Sequence, residues 1–184
     1  MGKTFESIDE ALASWIQQQK MFFVATAPLS STGMINCSPK GGDCLRIVGP
    51  TEVVYHDLTG SGVETIAHLR ENGRIVIMFC AFAGPPKILR LHGRGTSITR
   101  SHSRFESLSE LFSTSGATRS FIHVEIDRIA DSCGFAVPHY EFQGQRETME
   151  NLSARKSEAE FRDYRLRKNL NSIEGLPGLT EEEA

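Results

Sequence analysis

The sequence predicts a mainly β protein, a closed or partly closed antiparallel barrel with helices packed against its openings. Three observations support this fold class. Short aliphatic and β-branched runs recur along the chain, hairpin-length turn segments separate them, and only three or four stretches show helical spacing. A doubly wound parallel sheet is the alternative. It needs a helix after nearly every strand, and the first four predicted strands have none between them.

The amino-terminal part is predicted to form one helix followed by four strands. Ser7 and Glu10 have the spacing of a capping box at the start of this helix. Its apolar face consists of Ile8, Ala11, Leu12, Trp15 and Ile16. The predicted strands are MFFVATA, MINCS, CLRIV and EVVYHD, and the turn segments between them are PLSSTG, PKGGD and GPT. These intervals suit antiparallel hairpins.

The rest of the chain alternates between predicted helices and strands. A second helix begins near Val63 and ends at Asn72-Gly73, a left-handed stop signal. The strands RIVIMFCAF, KILRLHGRGTSIT and SFIHVEIDRIA follow, with a short helix from Phe105 to Phe112 before the last of them. The inward side chains of that strand are expected to be Ile122, Val124 and Ile126. A charged helix, SEAEFRDYRLRKN, precedes an apolar arm, SIEGLPGL, which is expected to dock on the domain or on a second copy.

Length, charge and cysteine spacing limit the classes of function. A chain of 184 residues suits one domain. The net charge of −3, with Lys and Arg scattered, lacks the basic footprint of a nucleic-acid binder. No leader or membrane-spanning run is apparent in the sequence, so we expect a cytoplasmic protein with no membrane partner. The four cysteines have no zinc-ligand spacing, so we expect reduced thiols and no metal site.

Several ordered segments resemble the pyridoxamine 5'-phosphate oxidase-like family, the FMN-binding split barrels. They are MFFVATAPLSSTGMINCSPKGGD, VVYHDLTGSGVETIAHLRENGRIVIMFCAF, PPKILRLHGRG, DSCGFAVPHYEF and YRLRKNLNSIEGLPGL. The similarity is greatest to an uncharacterised branch that ends in SIEGLPGL. It implies a split β-barrel with an antiparallel Greek-key arrangement. It also implies a flavin-binding domain over residues 1–150, with residues 151–184 as a charged helix and docking arm of the same domain.

The resemblance further implies a homodimer with FMN in a groove between the subunits. The FMN phosphate would be held by Lys, Arg, Ser and backbone amides. The pyridoxamine phosphate oxidase reaction itself is not implied. The arginine-rich strand and the Ser-Arg-Lys helix start of that enzyme are replaced here by INCSPK and GSGVET.

The first candidate for phosphate binding is Lys40. It follows Pro39 and precedes Gly41-Gly42, so an ammonium group stands beside glycines that let a phosphate approach the backbone. Ser38 is a second donor on the same strand end. The alternative interpretation is a solvent-exposed hairpin lysine.

The second candidate is a turn that leads into the helix at Val63, and it consists of Thr59, Gly60, Ser61 and Gly62. Free amides and the positive end of a helix dipole suit a phosphate group. The alternative is an ordinary capping box of Ser61 and Glu64, in which the glutamate carboxylate repels an anion.

A third set of candidates lies on one strand, where Leu89 and Leu91 alternate with Arg90, His92 and Arg94. A row of exposed cations is the common explanation. A strand face in contact with a flavin ring also needs such donors, and Arg90 followed by His92 are the residues we assign to cofactor binding.

The motif SCGFAVP is distinctive and its role is not evident from the sequence. Cys133 lies beside a glycine and is a candidate for the substrate pocket, together with His139 and Tyr140. The alternative for Cys133 is a small buried cysteine in a tight bend.

No catalytic residues can be assigned from the sequence. Flavins carry hydride and electron chemistry themselves, so an enzyme of this kind needs no polar triad. The first hypothesis is an FMN-dependent oxidoreductase that takes a hydride from NAD(P)H or another small donor. The alternative is a non-catalytic flavin- or haem-binding module for storage, delivery or sensing, with His92 or His139 as the haem ligand. A deazaflavin in place of FMN is a third possibility.

Overall fold

The computed structural model describes residues 2–184 of the chain. Within this range the strands are β1 (Thr4–Phe5), β2 (Met21–Thr26), β3 (Asn36–Gly41), β4 (Leu45–Gly49), β5 (Glu52–Leu58), β6 (Arg74–Cys80), β7 (Ile88–Thr99) and β8 (Thr118–Ser132). The helices are α1 (Glu10–Gln18), α2 (Glu64–Asn72), α3 (Phe105–Ser109), α4 (Thr148–Arg155) and α5 (Glu158–Lys168).

All of these strands belong to one antiparallel sheet. The strand order is β3-β2-β6-β7-β8-β5-β4, and β1 pairs with β8. The strands β3 and β4 are the two edges of this order, yet only residues 42–44 separate them along the chain. Such a short link keeps the two edges close together, so the sheet curls into a partly closed barrel. The mainly β class and the antiparallel split barrel predicted from the sequence are therefore confirmed.

The concave face of the sheet carries the main core. Side chains alternate between the two faces of a strand, and on this face β7 contributes Leu89 and Leu91, both fully buried. Ile122, Val124 and Ile126 of β8 join the same core, as the sequence predicts. Helix α1 packs its apolar residues into this cluster, so an amphipathic helix covers one side of the barrel.

A second apolar cluster lies on the opposite face of β5, β7 and β8. It contains Val54, Ile98, Phe105, Leu108, Phe112 and Phe121. Helix α3 supplies Phe105 and Leu108, and His56 stacks on Phe121 with 5.4 Å between the ring centroids. The histidine is therefore part of the packing of this cluster.

The carboxy-terminal segment docks on its own domain. The Leu179 amide donates to the Asn169 carbonyl over 2.8 Å, and the Leu179 side chain belongs to the main core. His68 Nε2 lies 3.3 Å from Glu174 Oε2, and the Met34 amide donates to the same carboxylate group. Helix α4 spans residue 150, and the division of the chain at that residue stays a prediction.

Several local predictions differ from the structure. Asp9, not Ser7, caps α1, because its side chain accepts a hydrogen bond from the Leu12 amide over 2.8 Å. Helix α3 ends at Ser109, and β1 and α4 are elements that the sequence pattern did not indicate. Gly73 does adopt the predicted left-handed conformation after α2, with φ 72°.

Among residues 2–184, no helix has the length and apolar character needed to cross a membrane.

Candidate functional site

Lys40 lies on the concave face of the sheet, near the end of the edge strand β3. Directly paired residues of neighbouring strands point to the same face, and Lys40 is opposite Phe22 while Ser38 is opposite Val24. Both partners are core residues. The register therefore turns the polar side chains of β3 toward the interior of the barrel.

The Lys40 ammonium is held by a buried carboxylate. Lys40 Nζ donates to Asp57 Oδ1 over 3.2 Å, which connects β3 to β5. The same nitrogen lies 5.7 Å from the centre of the Tyr55 ring. The Lys40 side chain is 22% exposed and that of Asp57 is 1% exposed. The alternative interpretation of Lys40 as a solvent-exposed hairpin lysine is therefore wrong.

Asp57 is ionised because two cations and a hydroxyl group surround it. Arg119 Nε donates to Asp57 Oδ2 over 2.8 Å, and the Ser120 hydroxyl donates to the same oxygen over 3.1 Å. Burial raises the pKa of Asp57, but the charges of Arg119 and Lys40 outweigh it and hold this pKa far below its usual range. Two cations share one carboxylate, which leaves one positive charge in excess among these three residues.

The same network reaches the turn of residues 59–62. Arg119 Nη1 donates to the Gly62 carbonyl over 2.7 Å and to Asn169 Oδ1 over 3.0 Å. Asn169 Nδ2 donates to the Gly60 carbonyl over 3.0 Å. Lys40 and the turn, two separate candidates in the sequence, are thus connected through Asp57 and Arg119.

Helix α5 supports the turn from a second point. Arg165 Nη1 donates to Thr59 Oγ1 over 3.1 Å, and the Arg165 side chain is fully buried. The sequence reasoning missed Asp57, Arg119, Asn169 and Arg165. Asp57 could have been found from the sequence, because it is a charged residue within the strand pattern EVVYHD and a buried charge needs a partner.

The hydrogen bonds to the turn also set the direction of its amides. The carbonyl and the following N–H of a planar trans peptide point in opposite directions. Because the Gly60 and Gly62 carbonyls point to Asn169 and Arg119, the amides of Ser61 and Val63 point away from those residues. Within residues 2–184, neither amide donates to a backbone carbonyl.

Glu64 opposes anion binding at this turn. Its Oε1 accepts a hydrogen bond from the Ile173 amide over 3.3 Å, and its carboxylate lies against Gly62, where a Cβ atom would collide with it. Val63 caps α2 without a side-chain hydrogen bond, so the alternative capping box of Ser61 and Glu64 is not formed. The turn thus combines two amides that have no backbone acceptor within residues 2–184 with a nearby negative charge.

The cations of β7 lie on the other face of the sheet. Across the sheet, Arg90 pairs with Met78, Met78 with Phe23, and Phe23 with Pro39, so these side chains share one face. Lys40 is the residue after Pro39 on β3. Successive residues of a strand point to opposite faces. One protomer therefore does not bring Lys40 and Arg90 to the same ligand group.

The individual surroundings of these cations differ. Arg90 Nη1 donates to the Ser132 hydroxyl over 2.9 Å, and Arg94 Nη1 donates to the Asn72 carbonyl over 3.3 Å. His92 is exposed to solvent. Its pKa is lowered first by partial burial and then by the charges of Arg128 and Arg90.

The substrate-pocket candidates Cys133, His139 and Tyr140 follow β8 in an irregular segment, and all three are exposed. The alternative interpretation of Cys133 as a buried cysteine is wrong. Tyr140 is anchored to Phe82, because its amide donates to the Phe82 carbonyl over 2.9 Å and the two rings lie 5.2 Å apart. A cleft of about 360 Å³ between the end of α1 and residues 42–47 is not lined by any of the three.

The cysteine thiols do not form a disulfide or a metal-like group within residues 2–184. All four cysteines are free; Cys37 is exposed, while Cys44 and Cys80 are buried. Burial raises the pKa of Cys44 to about 11, so this group is a thiol at neutral pH. In the range 2–184, no three histidine, cysteine or acidic side chains are grouped as they would be around a metal ion.

The curled antiparallel sheet, with a lysine on its edge strand linked to a glycine-rich turn, defines a protein of the split-barrel class. The family model for pyridoxamine 5'-phosphate oxidase matches residues 8–133. The chain belongs to this family, as the resemblance predicted. The family generally binds flavin.

Individual relatives agree with this assignment. The chain is 35% identical over 192 residues to the pyridoxamine 5'-phosphate oxidase family protein ustO of Aspergillus flavus, covering 95% of this chain and 77% of the relative. HupZ of Group A Streptococcus is similar in structure, with a TM-score of 0.53, 20% identity, and coverage of 66% of this chain and 91% of that one. A putative pyridoxamine 5'-phosphate oxidase from Lactobacillus delbrueckii gives a TM-score of 0.54 at 10% identity, covering 69% and 98%. These two structures establish similarity of fold alone.

Proposed function

We propose that this protein is an FMN-dependent oxidoreductase, with the flavin bound at a homodimer interface and NAD(P)H or another small molecule as hydride donor. The observation that carries the proposal is the buried network that joins Lys40 to the turn of residues 59–62 through Asp57 and Arg119. Membership of a family that generally binds flavin supports it.

The residues around Lys40 fit a phosphate-bearing ligand. An ammonium group has three donors, and Asp57 occupies one of them over 3.2 Å. The excess positive charge of the Lys40, Asp57 and Arg119 cluster suits an anion.

In this proposal FMN supplies the hydride chemistry, and the chain binds and orients it. Lys40 would neutralise phosphate charge, Ser38 would add a hydroxyl, and the amides of Ser61 and Val63 would complete the cradle. The Ser38 hydroxyl donates to Asn36 Oδ1 over 3.2 Å, which fixes its position on β3. Arg90 and His92 are outside this phosphate site because they lie on the opposite face of the sheet.

A second copy of the chain is proposed because apolar side chains along α2 are exposed. They are Leu29, Met34, Ile35 and Ile173. The Ile173 amide donates to Glu64 at the start of α2, and the Leu29 amide donates to Glu71 near its end, so this group extends along the helix. Exposed apolar surface of this kind is typical of an interface.

The first test is the absorption spectrum of the purified protein, with FMN added if it is colourless. We expect the two broad bands of a flavin and saturable FMN binding. Lys40→Ala should weaken FMN binding by about 10-fold or more, the loss expected for a hydrogen bond to a charged group. Lys168→Ala, at an exposed position of α5, is the matched control.

The outcomes separate the hypotheses. If the FMN affinity of Lys40→Ala were unchanged, Lys40 would not be part of the phosphate site. Failure of the wild-type protein to bind added FMN would overturn the enzyme proposal. A sharp, strong haem band would favour the haem-binding module instead, with the exposed His92 or His139 as the ligand to be tested.

A further inference from the structure

Arg90 is a half-buried arginine that has no carboxylate partner within residues 2–184. Arginine side chains pair with Asp or Glu at five places within residues 2–184, namely Arg46, Arg70, Arg100, Arg119 and Arg165. Arg90 instead donates to the neutral hydroxyl of Ser132 over 2.9 Å. A guanidinium group has five donors in a fixed fork, so most of its capacity for an anion is unused.

A second arginine lies beside it on the same face. In the pairing of β7 with β8, Arg90 is opposite Ala130 and His92 is opposite Arg128. Arg90 and Arg128 are therefore diagonal neighbours, and such neighbours are about 7–8 Å apart in a sheet. Two guanidinium groups at this separation can reach one small oxyanion from two sides.

The two arginines line a cleft of about 320 Å³ between β7, β8 and the amino-terminal segment. Gly2 forms part of its wall, and it lies so close to the Asp131 carbonyl that a Cβ atom there would collide with it. The absence of a side chain at Gly2 lets the segment lie flat on β8. The cleft is therefore a shaped depression with cations in its wall, and not a row of charges on an open strand.

The charges that face the cleft favour an anion. The carboxylate at its edge is Asp131, and Asp131 Oδ1 already accepts the Lys3 amide over 2.6 Å. The Lys3 ammonium lies 5.0 Å from the centre of the Phe5 ring. Partial burial is the largest cause of the lowered pKa of His92, and the charges of Arg128 and Arg90 lower it further.

We propose that this cleft binds an oxyanion, a carboxylate or phosphate group of a small molecule, at a site separate from the flavin phosphate site. Arg90 provides the planar fork, Ser132 holds the fork in place, and Arg128 supplies the second charge. The position on the convex face, opposite to Lys40, is the reason that the two sites are separate. The proposal does not depend on the presence of flavin.

The test is an amide NMR titration of the whole chain with inorganic phosphate and, separately, with acetate. We expect saturable shifts for Ala130 and Ser132 with at least one of the two anions, and the stronger binder identifies the class of ligand. Arg128→Gln should weaken this binding by about 10-fold, and Arg90→Gln by at least as much. Arg128 is exposed, so its replacement should leave the fold intact.

Arg94→Gln is the matched control, because Arg94 lies on the same strand face but donates to the Asn72 carbonyl. Equal weakening in the control and in Arg128→Gln would indicate a nonspecific charge effect and would overturn the proposal. Absence of saturable shifts with both anions would do the same. The titration is repeated with FMN-saturated protein. Loss of the shifts there, or weaker FMN binding in Arg128→Gln, would show that the cleft is part of the flavin site.

Discussion

At the residue scale, the feature that decides the candidate site is the buried carboxylate of Asp57. A buried charge is tolerated only when partners offset its lost hydration, and here Lys40 of β3 and Arg119 of β8 do so, one at each carboxylate oxygen. Removing such a carboxylate leaves the buried Arg119 cation without compensation. Asp57 therefore links the stability of the barrel to the geometry of the site.

Asp57→Asn should lower the free energy of unfolding by about 3–5 kcal/mol, the cost of breaking a buried ion pair. Urea unfolding monitored by tryptophan fluorescence measures it. Asp43→Asn is the control, since the Asp43 side chain is 86% exposed in its pair with Arg46. An exposed pair contributes about 1 kcal/mol or less. Equal losses in both variants would contradict the role of burial.

The same residue predicts a dependence of stability on pH. The pKa of Asp57 is lower in the folded protein than its value of about 3.9 in an unfolded chain. Its contribution is therefore fully present above about pH 4 and decreases as the pH falls below that value. Wild-type protein should lose more stability than Asp57→Asn between about pH 4 and pH 2. Parallel acid profiles for the two proteins would contradict the assignment.

At the element scale, the charged helix α5 has a function that its composition does not suggest. It is rich in charged residues, yet Phe161 and Arg165 are buried and Asn169 at its end is fully buried. Through Arg165 and Asn169 the helix holds the turn that precedes α2. Because Asn169 and Arg119 hold the Gly60 and Gly62 carbonyls, the Ser61 and Val63 amides point away from these two residues.

Asn169→Ala should weaken binding of FMN more than binding of riboflavin, which lacks the phosphate group. The substitution frees the Gly60 carbonyl and allows the turn to reorient, and a lost buried hydrogen bond of this kind costs about 1–3 kcal/mol. Fluorescence titration with both flavins measures the difference. The control is Asn171→Ala, two residues further along at an exposed position. If the substitution weakened the binding of FMN and of riboflavin equally, the turn would not contact the FMN phosphate.

At the scale of the whole molecule, the carboxy-terminal arm is part of the barrel core. Leu179 is 4% exposed within the main cluster, while Ile173 on the same arm is 66% exposed. The arm also bonds His68 and the Met34 amide through Glu174. It therefore ties together α2, the β2–β3 connection and α5.

Leu179→Ala should destabilise the protein by about 2–5 kcal/mol, as expected for a leucine removed from a packed core. Ile173→Ala should change the free energy of unfolding by less than about 0.5 kcal/mol in the monomeric state. Thermal unfolding of the two variants gives the comparison. A small effect of Leu179→Ala would show that the arm contributes little to the core.

Some elements of the fold are easier to predict from the sequence than others. Strands with clear alternation, such as β7 and β8, were predicted with the correct inward residues, because period-2 burial is encoded locally. The short strand β1 and helix α4 were missed, since the structure buries no residue of α4 and β1 has two residues. Elements of this kind lack the local apolar pattern on which prediction depends.

The candidate site shows the same limit. The sequence by itself determined the barrel class, the family resemblance, and the presence of a lysine and a glycine-rich turn suited to a phosphate, because turns and alternation depend on neighbouring residues. The tertiary structure alone decided which candidates meet. It joined Lys40 to the turn through Asp57 and Arg119, and it put Arg90 on the opposite face. Those outcomes depend on strand register and barrel curvature, which arise from contacts between residues far apart in the chain.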